Sequence, residues 1–178
     1  AQLGAELAEL RAAGFLYEVA LPTGIEHTFK HALTHAVAYD SLLRRHRRDL
    51  HARVHAAMLS LYGDRQEELT EQLAGHALRG EVWADAVRHA LAAGDRANHR
   101  SGWQEAVAFL EHAVAALDHL PRDQQTIARG IEARLKLRVV LAPLADVPRM
   151  MRYLDEAGAL AEQAGDQVML ARVNISRG

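Results

Sequence analysis

Apolar residues recur at helical spacing along most of this 178-residue chain, and one short stretch breaks the rule. Leu3, Leu7 and Leu10 share a helical face at the start. The period then changes. Gly14-Phe15-Leu16-Tyr17-Glu18-Val19 and Ile25-Glu26-His27-Thr28-Phe29-Lys30 are rich in aromatic and β-branched residues, and Leu21-Pro22-Thr23-Gly24 joins them, so they read as two strands and a turn. Leu33, Val37 and Leu42 restore the helical period. Helix, hairpin, helix over residues 1–43 resembles the end of a winged-helix module.

From residue 44 only helical periodicity remains, and residues 44–178 form a helical-repeat region. Leu43, Leu50, Val54, Met58 and Leu61 make a stripe that stops at Gly63. Asp64 with Glu67 resembles a capping box for a helix burying Leu69, Leu73 and Ala77 and ending near Gly80. Ser101 with Gln104 offers another start, for a helix carrying Leu110, Ala113 and Leu117. Asp123 starts one with Ile127, Ile131, Leu135 and Val139, broken near Pro143. Asp146 and Pro148 start one with Met151, Leu154, Ala157 and Leu160 inward, and Asp166 starts the last. Connections this short force antiparallel neighbours. Both ends read as cuts, because Ala1 lies inside one amphipathic pattern and Val173 and Ile175 inside another.

Within this region Trp83-Ala84-Asp85-Ala86-Val87 is echoed by Trp103-Gln104-Glu105-Ala106-Val107, 103 − 83 = 20 residues later. In each copy the aromatic, the small residue three places on and the apolar residue four places on share a face, where the small residue admits a neighbouring helix. Composition agrees with helix packed on helix: 49% of residues are apolar but only 5% aromatic. A formal charge of −2 gives no overall attraction to nucleic acid or anionic membrane. Cys is absent, which rules out disulfides and thiolate metal sites and fits a reducing cytoplasm. No apolar run reaches the roughly 20 residues of a membrane span.

Trp103, Ala106, Leu110 and Ala113, followed by Pro121 and preceded by Gly94, resemble the tetratricopeptide series of aromatic, small, large and small residues. Trp83, Ala86, Ala90 and Ala93 form a weaker copy. A separation of 20 against a regular period of about 34 makes these degenerate repeats, with a long middle helix shared between pairs. A wider series is Phe29-Lys30-His31-Ala32-Leu33, Ala38-Tyr39-Asp40-Ser41-Leu42-Leu43, Arg47-Arg48-Asp49-Leu50-His51, Gly94-Asp95-Arg96-Ala97 and Glu156-Ala157-Gly158-Ala159-Leu160-Ala161 with Gly165-Asp166. It resembles bacterial STAND-type signalling ATPases. Among these it is most similar to multidomain proteins with a class III adenylate or guanylate cyclase, a central ATPase and a tetratricopeptide region.

The resemblance implies that ATP and ADP belong to the parent protein. The P-loop and cyclase metal-binding segments are not in these residues, so this region itself is expected to bind no cofactor and to catalyse nothing. It also implies a role for His31, since a His in an aromatic-x-His-x-Leu context senses the bound diphosphate in such ATPases. A His at a helix start is suited to that, because the dipole and free N–H groups favour an anion.

The other candidates have blander readings. His31 with His35, and His51 with His55, have the four-residue spacing of paired metal ligands, but no carboxylate is placed as a third, and we expect no metal site. Arg44-Arg45-His46-Arg47-Arg48 could neutralise phosphates, yet Asp40 and Asp49 flank it, and we expect no nucleic-acid partner. Trp83, Trp103 and Met150-Met151 read as core.

The expected fold is all-α: an antiparallel, tetratricopeptide-like α–α superhelix behind a short hairpin. The expected function is non-catalytic protein–protein interaction and regulation in the cytoplasm. Its partner is a protein or the parent's own ATPase domain, met by polar residues such as Gln72, His76, Arg79, Arg96 and His99. A transcription regulator's sensor region and a small-molecule sensor remain open alternatives.

Overall fold

A computed structural model describes residues 2–21 and 24–177, and it is helical apart from one hairpin. Pro22 and Thr23, which carry the expected turn, lie outside the described residues. The elements are α1 (Gln2–Ala12), β1 (Leu16–Leu21), β2 (Gly24–Phe29), α2 (Ala32–Ser41), α3 (Arg44–Tyr62), a 3-10 helix (Gly63–Leu69), α4 (Thr70–Arg79), α5 (Trp83–His99), α6 (Trp103–Leu117), α7 (Gln124–Leu141), α8 (Val147–Ala164) and α9 (Gln167–Arg177). Two compact units, 1–47 and 48–178, divide the chain, and the division falls inside α3.

In the first unit β1 and β2 pair antiparallel, from Leu16↔Phe29 to Leu21↔Gly24. Helix α1 touches β1 and α2 touches β2. The apolar side expected of α2 is uncovered: Leu33 is 75% and Val37 62% exposed, and no residue of α2 is buried.

The second unit is a stack in which each helix from α4 to α9 packs mainly on its sequence neighbours. Its central core joins Ala97, Ala106, Val107, Leu110, Leu137, Val140, Leu141 and Tyr153 from α5 through α8. Gly94 makes the tightest of these junctions possible. A Cβ there would lie 2.8 Å from both Cγ and Cδ2 of Leu110, so α6 approaches α5 only because that position has no side chain.

The echo of Trp83 in Trp103 has a structural cause. Both residues open helices, and each of those helices is entered through the same kind of turn. Val82 N–H donates to the Ala77 carbonyl at 2.9 Å and Gly102 N–H to the Ala97 carbonyl at 2.8 Å, with Glu81 (φ 56°) and Ser101 (φ 61°) in the left-handed region between. These are Schellman ends. Ala145 (φ 54°) and Gly165 (φ 65°) end α7 and α8 in the same way. Ser101 is therefore the stop of α5 and not the start of α6, whose N-cap is Gly102. The 20-residue period is one 17-residue helix and its turn, so the two tryptophans open consecutive helices. Helix α5 packs on both α4 and α6, as a shared middle helix should, but at 17 residues it is no longer than the 18-residue α7 and α8.

Three expected caps are present: Asp123, Asp146 and Asp166 accept from the N–H groups of Thr126, Arg149 and Met169 at 2.8, 3.1 and 3.0 Å. The start expected at Asp64 is not an α-helix start. Residues 63–69 are 3-10, because the Glu67 carbonyl accepts from Thr70 N–H, from Thr70 Oγ1 at 2.7 Å and from Arg96 Nη1, which holds the tighter i→i+3 turn.

Three helices are rotated relative to their expected stripes. On α7 Val139 is half exposed, while Ile131, Ala133, Leu137, Val140 and Leu141 are buried, since α6 and α8 grip the helix from two sides. On α8 Met151 faces out, and Tyr153, Leu154, Ala157 and Ala161 face in; Met150 packs against the core. On α3 the stripe Leu43, Leu50, Val54 and Leu61 is exposed, and the inward residue is His55. The reason lies opposite, at Gly80, where a Cβ would sit 2.7 Å from Ala52 N and 2.9 Å from Ala52 Cα. The backbones approach so closely there that α3 presents Ala52 and flat imidazoles in place of branched leucines.

Candidate partner-binding cleft and histidine cluster

A cleft of about 490 Å³ lies between α7 and α9 in the second unit. Leu135, Val139 and Met169 give it an apolar floor, and Gln125, Arg129, Glu132, Lys136 and Arg172 form its polar rim. Lys136 Nζ is anchored to Asp95 of α5 at 2.6 Å and to Glu132 at 3.5 Å. This bond ties α5 to α7 across one face of the stack. On α6 and α8 the counterpart is Glu111, which accepts from Arg149 Nη2 and Tyr153 Oη, both at 2.5 Å. Burial alone would raise the Glu111 pKa, but those two donors hold it below its usual value. Burial and the bond to Glu111 push Tyr153 up. These even-numbered helices thus lock together by charge, while the α7–α9 side is left open. A smaller cleft, about 280 Å³, lies among α4, α5 and α6 and includes Glu71, Arg79 and His112.

A second concentration of chemistry is a set of four histidines shared by α3, α4 and α5. His51 Nδ1 meets His76 Nδ1 at 3.0 Å, and the His55 ring stands edge-on to that of His89 with centroids 5.4 Å apart. His55 and His89 are buried, and Nε2 of each has no hydrogen-bond partner among the described residues. Burial is the largest cause lowering the pKa of all four, and it takes His89 to about 4. The sequence suggests pairs along α3; the structure pairs each of these histidines across helices instead. His89 falls in the Ala86, Ala90, Ala93 stripe, and that register is the one sequence signal that marks it as inward.

His31 is the N-cap of α2, exposed, with no side-chain capping bond. His35 lies against Phe29 and Tyr39, at centroid distances of 5.2 and 6.1 Å, which is an aromatic packing role. Among the described residues no three His, Asp or Glu side chains are arranged to hold a metal ion. In the arginine run, Arg47 pairs with Asp40 at 3.2 Å and covers the Tyr39 ring, and Arg48 pairs with Asp49 at 3.1 Å and Glu81 at 3.6 Å. Trp83 stacks on His119 at 3.9 Å, whereas Trp103, expected in the core, is 36% exposed.

Of the five polar residues expected to meet a partner, Gln72, Arg79, Arg96 and His99 are exposed and His76 is half-buried. His76 Nδ1 meets His51, and Arg96 donates to the Glu67 carbonyl. The cleft residues of α7 and α9 are absent from that expected set, because their surface depends on where α9 comes to rest against α7.

No protein-family profile and no solved structure matches the chain. It is 36% identical over 101 residues to an uncharacterized protein of Rhizobium meliloti (strain 1021). The match takes in 57% of this chain and 10% of that relative, so the chain corresponds to a small part of a much longer protein. Among the described residues no helix is long and apolar enough to cross a membrane.

Proposed function

We propose that residues 48–178 are a non-catalytic, tetratricopeptide-like docking scaffold of a larger signalling protein, and that the α7–α9 cleft takes an extended acidic and apolar segment of a protein partner. The observation that carries this reading is the cleft itself: an apolar floor of Leu135, Val139 and Met169 under Arg129 and Arg172, on helices held rigid from behind by the buried core. An apolar side chain would fill the floor while carboxylates meet the guanidinium groups, whose planar donors suit them. The partner segment comes either from another protein or from the parent's own ATPase domain, and the output is a change in the parent's activity in the cytoplasm.

The test is fluorescence anisotropy with labelled peptides of alternating Leu and Asp or Glu against the same peptides carrying Asn and Gln. Preference for the acidic series, and at least tenfold weaker binding by the Arg129→Glu, Arg172→Glu double variant, is the expected result. Equal binding of both series by the native chain refutes the reading. In the parent, His31 at the α2 N-terminus is proposed to contact the nucleotide phosphate; ADP affinity of the longer protein unchanged by His31→Ala removes that role.

A further inference from the structure

Helix α3 is joined to the stack by histidines where its neighbours are joined by leucines and alanines. His51 and His55 come from α3, His76 from α4 and His89 from α5. The His51–His76 contact at 3.0 Å joins two Nδ1 atoms, so one ring must accept and be neutral. Protonating both turns a hydrogen bond into two opposed N–H donors. His55 and His89, at 2% and 5% exposure, each bury an Nε2 that has no hydrogen-bond partner among the described residues. A bare nitrogen lone pair is tolerable there, whereas a buried cationic N–H is costly.

The surrounding charges sharpen this asymmetry. Arg79 of α4 stands by His51 and His76, and Arg88 of α5 by His55 and His89. Among the described residues Asp85 of α5 stands against them, 3.9 Å from His55 Nε2 and already bonded to Arg88 at 2.6 Å. On α3, Arg48 is met by Asp49 and by Glu81 of the 80–82 connection. Each proton added to the cluster therefore meets more positive charge than the last. Beyond the histidines α3 is held by the Arg48–Glu81 pair and the close Ala52–Gly80 approach, while Leu50 and Val54 are exposed.

We propose that this four-histidine cluster makes the docking of α3 pH-dependent, so that mild acidification releases α3 from α4 and α5 while the α5–α8 core stays folded.

The experiment is hydrogen–deuterium exchange of the full 178-residue chain at pH 7.5 and pH 5.0, corrected for intrinsic exchange. Residues 50–60 are compared with residues 131–141 of α7. The expected result is at least a tenfold loss of protection in α3 at pH 5.0 with less than a threefold change in α7. No selective loss in α3, whether because both segments change alike or neither does, overturns the proposal. Two variants remove the cluster from opposite ends, His51→Gln with His76→Gln at its half-exposed edge and His55→Leu with His89→Leu at its buried end. Abolition of the selective loss in either supports the proposal, and its persistence in both overturns it. If the buried pair fails to fold, the edge pair and the native chain still decide.

Discussion

Replacing Gly94 by Val is expected to lower the stability of the second unit by about 3 kcal/mol, at the upper end for overpacking a filled core. The first added carbon would already lie 2.8 Å from Leu110, which is fully buried between α5 and α6 and has no free volume to retreat into. The two β-methyl groups of Val add to the clash, and helix α5 must then separate from α6 or bend. Urea denaturation checks this. Leu110→Ala on its own creates a cavity and is expected to cost about 2–5 kcal/mol. In the double variant the new side chain occupies part of that cavity, so its loss should fall short of the sum of the two single losses by about 1 kcal/mol or more. Strict additivity would show that Gly94 does not hold the α5–α6 spacing.

Acidification is expected to weaken the chain well above the range where carboxylates titrate. His89 is held neutral in the fold with a pKa of about 4, against an ordinary value of 6.5. Between those values the unfolded chain binds a proton that the folded chain refuses, so stability falls as pH falls. The decline begins near pH 6.5 and levels off near pH 4. For His89 alone it amounts to about 3 kcal/mol. His51, His55 and His76 are shifted in the same direction and add to the slope. The measurement is urea unfolding at half-unit steps from pH 7.5 to 4. His89→Leu, which is close to imidazole in volume and removes the titrating group, should shallow the slope while leaving stability at pH 7.5 within about 1.5 kcal/mol, as volume-conserving core changes do. A flat native profile down to pH 4.5 would mean that the four imidazoles reach water in the folded chain.

Much of the architecture follows from local signals. The strands carry their own β-prone residues and the Pro-Gly punctuation between them. Asp123, Asp146 and Asp166 announce three helix starts because a capping carboxylate acts on N–H groups only three residues away. The matched Trp-Ala-Val segments open two consecutive helices, and Ala86, Val87, Ala106 and Val107 are buried where they predict.

The site is legible to a lesser degree. His51 and His55 stand out by number and spacing, but spacing along one helix carries no information about His76 and His89, which are 25 and 34 residues further on. The α7–α9 cleft is less legible still. Val139 belongs by period to a buried stripe, and its exposure results from how α6 and α8 clamp α7.

The sequence by itself determined the helix starts at Asp123, Asp146 and Asp166, that one hairpin interrupts the helices, and that small residues mark close helix contacts. These depend on interactions within a few residues of chain, or on a residue's size. Only the tertiary structure decided which face of α3, α7 and α8 turns inward, which histidines share a buried space, and which side of the stack stays open. A periodic stripe states that one side of a helix is apolar, but burial requires a neighbour, and on α3 the neighbour at Gly80 selected the imidazoles over the leucines.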